Sequence, residues 1–186
     1  MRKSKINISG FKIGTAENRD GLTGVTVILA PDGGATAGVD VRGCAPGTRE
    51  TDLLDPRKTV QKIHAVVLSG GSAFGLEAAS GCVKYLAEQG VGFPIGNVCV
   101  PIVCSAVLFD LMIGDEKAYP DLLMGYEAAK SASSEFLSGC NGAGTGATVG
   151  KLLGFGNAMK SGAGYHEISL PLSLIHISEP TRHSLI

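Results

Sequence analysis

The chain has no tryptophan, only 5% aromatic residues and four histidines. Chemistry built on histidine, whether a metal centre or a nucleophilic triad, therefore has little to draw on. Charge of one sign is missing too: lysine and arginine number 16 against 17 aspartates and glutamates. Nucleic-acid binding needs a basic face, so that class is excluded. No apolar run approaches the ~20 residues of a membrane-spanning helix, so no membrane partner is expected. The opening MRKSKINISG carries charge without an apolar core, and no signal peptide is read there. The five cysteines (Cys44, Cys82, Cys99, Cys104, Cys140) form no C-x-x-C pair. A zinc site needs tighter ligand grouping. The thiols read as reduced and buried in a cytoplasmic protein, with no metal and no cofactor expected.

Glycine is what the chain has in excess, 27 residues of 186. The glycines stand between apolar runs, where chains turn sharply or pack closely. Gly24–Ala30 (GVTVILA) reads as a buried strand, and Pro31-Asp32-Gly33-Gly34 as a turn. Ala35–Val41 then reads as a returning strand that completes a hairpin. Arg42–Asp55 reads as an ordered loop, and Asp55-Pro56 as the start of a short helix through Lys62. Ala65–Leu68 is a further strand. A helix from near Ala73 to Gly90 carries Leu76, Ala79, Val83 and Leu86 at helical spacing. Val98–Val103 reads as a strand interrupted by Pro101, and Pro120–Ser133 as a helix. Thr145–Lys151 and Ile168–Leu170 are weaker strand candidates. The mixture predicts an α+β or α/β fold in layers.

From Leu172 the chain changes character. Leu172–Arg182 (LSLIHISEPTR) resembles the in-frame translation of a transposase sequencing-library adapter. Residues 172–186 are therefore set apart as a non-native tail, and 1–171 as the native part. His176 and His183 fall in that tail, leaving His64 and His166.

Ser72, in Val66–Gly81 (VVLSGGSAFGLEAASG), is the best-placed hydroxyl. The nucleophile elbow G-x-S-x-G needs glycine two residues to either side. Gly70 is there, but Phe74 occupies the other position. His64 precedes a strand and reads as ordering a loop. Ser72 is expected first as a helix cap, accepting from the N–H of Phe74 or Gly75. A second role is as part of a pocket in which turn amides hold an oxyanion. Gly142–Lys151 (GAGTGATVGK) lacks the Ser or Thr that a Walker A loop carries after its lysine. It reads as a turn feeding a strand and lining a cleft. Arg42, Arg49, Glu50, Asp52 and Asp55 are expected to form salt bridges with one another. Phe109-Asp110 follows the apolar run Ala106–Leu108, and Asp110 is either a cap or projects into a cavity.

Several segments in order resemble the DmpA-type aminopeptidase family, N-terminal-nucleophile-like hydrolases related in fold to the ornithine acetyltransferases. They are Lys12–Glu17, Leu22–Val25, Val39–Leu54 (VDVRGCAPGTRETDLL), Val66–Gly81, Val100–Leu111 (VPIVCSAVLFDL) and Gly142–Leu153. Cys44 stands where the family pattern has glycine, and Cys104 where it has proline. The resemblance implies an αββα sandwich, incomplete here, and a precursor that cleaves itself into two subunits. Cleavage would free a Ser or Thr whose own α-amino group acts as base. That nucleophile would lie beyond residue 171, so this chain would be an inactive part of a first subunit. Its substrates would be small peptides, amides or esters with a free N-terminus. Its partners would be the second subunit and further copies in a homo-oligomer. Ser72, Ala73, Phe74, Val107, Phe109 and Asp110 are the expected pocket wall, and none of them is expected to be catalytic. A nucleotide- or phosphate-binding domain using the glycine loops, and a non-catalytic structural module, are the alternatives.

Overall fold

A computed structural model describes residues 3–168. The tail at 172–186 and the strand candidate's last two residues, 169–170, lie outside the described residues. In chain order the strands are β1 (Lys3–Lys5), β2 (Lys12–Asn18), β3 (Thr23–Leu29), β4 (Thr48–Arg49), β5 (Ala65–Ser69) and β6 (Phe93–Ile95). They continue with β7 (Val98–Val100), β8 (Val103–Val107), β9 (Glu135–Leu137), β10 (Thr148–Val149) and β11 (Met159–Lys160). The α-helices are α1 (Ala78–Glu88) and α2 (Leu122–Lys130).

The main sheet has five strands in the order β2-β3-β5-β8-β4. Only β5 and β8 run parallel; the other neighbours are antiparallel. The class is α+β. Side chains alternate across a strand, and the register assigns the faces. Val25, Val27, Ala65, Val67 and Val103 point one way, into a core shared with Ala78, Ala79, Cys82, Ala128 and Ala129 of the two helices. Valine suits the strands and alanine the helices, so small side chains let the helices settle close to the sheet. Two glycines bring α1 and α2 together. A Cβ on Gly81 would lie 1.9 Å from the Leu122 carbonyl oxygen, and one on Gly125 would lie 1.9 Å from that of Ala78.

The opposite face carries Ile13, Thr26, Ile28, Leu68 and Ala106 and has no helix over it among the described residues. One end is covered by the single 3-10 turn Gly142–Thr145, whose Gly142 and Ala143 amides donate to Glu17 Oε2 and Thr26 Oγ1. The rest is an apolar groove of about 640 Å³, bounded also by Phe136 and Tyr165. Among the described residues the main sheet therefore carries one helical layer, with its second face largely open.

Several expectations need correction. Ala35–Val41 forms no strand: Ala35 makes one bridge to Ile63, and 36–41 is irregular. Both edges of β3 are already taken, by β2 and β5. No helix runs from Asp55 to Lys62. The Asp55 carboxylate caps a turn by accepting from the Arg57 amide, and the 3-10 turn lies earlier, at Thr51–Leu54. Val98–Val103 is two strands in two different sheets, divided at Pro101. The helix after Ser72 begins as a 3-10 turn, Ser72–Glu77, before α1. Of the thiols only Cys82 and Cys104 are buried; Cys44, Cys99 and Cys140 are exposed. Burial pushes the Cys82 thiol up to about 12, which keeps it protonated and inert.

His64 orders a loop, as its position suggested. It is buried, and its Nδ1 accepts the Ile102 N–H at 3.1 Å. Burial holds its pKa below the ordinary 6.5. The unfolded chain then binds the proton first, so folding stability is complete above pH ~6.5 and falls as pH drops towards the folded pKa. The loss is at most about 1.4 kcal/mol per pH unit. Urea midpoints measured between pH 7.5 and 5 should fall in wild type and fall less in His64→Gln. Identical slopes would contradict this reading.

Candidate functional site

The turns after β5 and β8 and the start of β3 meet at one end of the sheet, because β3 runs antiparallel to β5 and β5 parallel to β8. Hydrogen bonding continues past the strands. The Gly70 amide donates to the Gly24 carbonyl, and the Leu108 amide to that of Ser69. The Ser72 amide donates to the Leu108 carbonyl at 3.0 Å. The structure thus brings the Ser72–Phe74 and Val107–Asp110 segments together.

Asp110 is the centre of this region, and it is 2% exposed. Its Oδ1 accepts the Gly71 N–H at 2.6 Å, and its Oδ2 accepts the Thr23 hydroxyl at 2.8 Å. Two glycines make room for it: a Cβ on Gly70 would lie 2.1 Å, and one on Gly146 2.4 Å, from Oδ2. Asp110 is therefore buried and ties together three turns from distant parts of the chain. Thr23 and Gly146 were not singled out from the sequence, and Gly70 was noted only for the elbow motif. Thr23 is 87 residues from Asp110, and no local pattern announces a bond over that distance.

Ser72 does not cap the helix. Gly71, at φ 77°, precedes the 3-10 turn, and no side-chain cap bond is made. Gly71 takes the cap position instead, with its amide donating to Asp110 and the Ser72 amide to the Leu108 carbonyl. Ser72 itself is left-handed, at φ 53°, and half-buried. Ala73 and Phe74 are exposed. The Phe74 ring stacks on Tyr119 with centroids 4.7 Å apart, while Phe109 turns to Phe155 at 6.1 Å. Val107 is half-buried beneath Gly47. His64 stands before β5 and Ser72 beyond its other end. A strand length separates them, roughly 16 Å at 3.3 Å per residue. Among the described residues no base is bonded to the Ser72 hydroxyl, and no triad is assembled there.

In GAGTGATVGK the first two amides and the lysine are already engaged, while the Thr145 and Thr148 hydroxyls are buried without a partner among the described residues. The Gly142 and Ala143 amides are bonded as above, and Lys151 Nζ donates to the Phe109 carbonyl at 2.9 Å. The turn lines the groove through Ala143, Gly144 and Ala147. The expected charge cluster is not mutual. Arg42 pairs with Asp40, Asp55 with Arg57, and Arg49 donates to Ser80 Oγ. The loop places these side chains on different neighbours. No group of three or more metal-ligating side chains occurs among the described residues, and no described helix is long and apolar enough to cross a membrane.

Comparison with known proteins gives this site its context. An uncharacterised aminopeptidase of Mycobacterium tuberculosis is 47% identical over 131 residues, covering 70% of this chain and 38% of the relative. One from Mycobacterium leprae is 42% identical over 164 residues, covering 80% and 45%. A 6-aminohexanoate-oligomer endohydrolase of Kocuria sp. is 35% identical over 149 residues, covering 80% and 39%. The chain thus spans less than half the length of these relatives. Among solved structures, a beta-aminopeptidase of Burkholderia sp. shares the fold at TM-score 0.57 and 18% identity, with 78% of this chain and 45% of that one covered. The PH0078 protein of Pyrococcus horikoshii does so at TM-score 0.61 and 21% identity, covering 78% and 47%. The family model for peptidase family S58 matches residues 6–164, and the chain belongs to that family.

Proposed function

We propose that this chain is the N-terminal part of a self-processing aminopeptidase or amidohydrolase whose nucleophile lies beyond residue 171. One observation carries the reading: the sheet has a complete helical layer on one face and an open apolar groove on the other. Such a face needs a covering layer, and the relatives are more than twice as long as the segment matched here. The remaining part of the same precursor would supply that layer and the reactive group. Residues 172–186 would be no part of it.

The chemistry suits the residues present. A Ser or Thr freed at a new N-terminus carries its own base, an α-amino group with pKa ~7.7–8.0. It needs no histidine. Its oxygen attacks the scissile carbonyl as the α-amino group takes its proton, the C–N bond breaks with that proton passing to the departing amine, and water then hydrolyses the acyl-enzyme ester. Hydrogen-bond donors hold the oxyanion. Ser72, Ala73, Phe74, Val107 and Phe109 would form wall around a small peptide, amide or ester with a free N-terminus, with Asp110 behind them. The complete protein would work in the cytoplasm as a homo-oligomer. Expression of the parent reading frame tests the proposal. Two fragments should appear on a gel, the second beginning with Ser or Thr, and an aminoacyl p-nitroanilide should be hydrolysed. A single uncleaved, inactive product would refute it.

A further inference from the structure

Asp110 has a second consequence. Among the described residues no cationic side chain is paired with it. An apolar residue would fill the same space with less desolvation. What an apolar residue could not do is accept two hydrogen bonds, and both come from residues next to unusual backbone. Thr23 follows Leu22, at φ 52°, and Gly71 precedes Ser72, at φ 53°. Left-handed conformations are unfavourable for residues other than glycine and persist only when the surroundings over-determine them. Gly71 is left-handed as well, at φ 77°. One buried carboxylate thus holds both strained non-glycine residues at this end of the sheet.

We propose that Asp110 is a positioning residue that locks the Leu22–Thr23 and Gly71–Ser72 turns and so fixes the Ser72–Phe74 wall against which substrate is oriented. It acts through the turn and does not touch substrate. The inference rests on the hydrolase reading above.

The test compares Asp110→Ala, Asp110→Asn and Thr23→Val in the complete gene product, assayed on an aminoacyl p-nitroanilide well below the melting temperature. A small misplacement of an oriented substrate costs on the order of 100-fold. Asp110→Ala should lose about that much in kcat, with KM changing far less. Asparagine keeps an acceptor for the Gly71 amide and can donate to the Thr23 hydroxyl, so Asp110→Asn should recover most of the loss. Unchanged kcat in Asp110→Ala, or equal damage from alanine and asparagine, would overturn the proposal. Should the alanine variant fail to fold, Thr23→Val decides, since it removes one bond of two. A kcat loss of about 10-fold supports the proposal, and none overturns it. If the wild-type product hydrolyses nothing, the hydrolase reading has failed. Amide exchange in the 186-residue chain then decides on Asp110: Gly71–Phe74 should exchange at least about 10-fold faster in Thr23→Val than in wild type, with α2 unchanged. Equal rates would overturn the positioning role.

Discussion

Gly125→Ala should destabilise the chain by about 2 kcal/mol or more, although alanine is the better helix former. On an exposed helix face the same change would gain about 1 kcal/mol. Here the added methyl would sit 1.9 Å from the Ala78 carbonyl oxygen and 2.6 Å from its carbon. These are backbone atoms of α1, which cannot rotate away as a side chain would. The reciprocal contact of Gly81 with Leu122 fixes the same crossing from the other side. Separating the helices would also lift Ala78, Ala79, Ala128 and Ala129 from the core, where all four are fully buried. The melting temperature should drop by roughly 4–8 °C. Glu127→Ala, on the exposed side of α2, is the control and should change it little. A Gly125→Ala melting point equal to or above wild type would mean that the two helices do not cross this closely.

Leu68→Asp should have opposite consequences in this chain and in the complete protein. Leu68 lines the open groove and is 39% exposed. In the 186-residue chain the substitution exchanges one half-exposed side chain for another, so urea midpoints should move by about 0.5 kcal/mol or less. If the rest of the protein covers this face, the aspartate is buried against apolar residues without a partner. That costs several kcal/mol in practice. In the parent gene product Leu68→Asp should therefore abolish self-cleaved, soluble enzyme, while an exposed control, Glu77→Gln, should not. Equal tolerance of Leu68→Asp in both would show that the groove stays open to water.

The sequence was most legible where local pattern and tertiary role agree. Gly24–Ala30 and Ala65–Leu68 are β-branched and apolar, and they became the central strands. Pro101 marked a true break, and the helix read over Pro120–Ser133 is α2, Leu122–Lys130, with the Asp121 carboxylate as its cap. β2 was not read as a strand because KIGTAEN shows only Ile13 and Ala16 as apolar. It is a strand because β3 offers it a full edge. Ala35–Val41 failed for the converse reason, since no edge was left for it. At the site, the ordered motifs brought Ser72 and Asp110 into one hypothesis. Their relation is set by the Gly71 amide and the Thr23 hydroxyl, 39 and 87 residues from Asp110. Periodicity and capping rules act over one or two turns, and a bond of that span has no local signature.

On the proposed reading the nucleophile lies beyond residue 171, and this chain alone is inactive. The most direct measurement is p-nitroaniline release from an aminoacyl p-nitroanilide by the purified 186-residue chain, with its intact mass recorded before and after incubation. No release above the buffer rate and one unchanged mass are the predicted result. Turnover, or a mass that divides into two fragments, would contradict it.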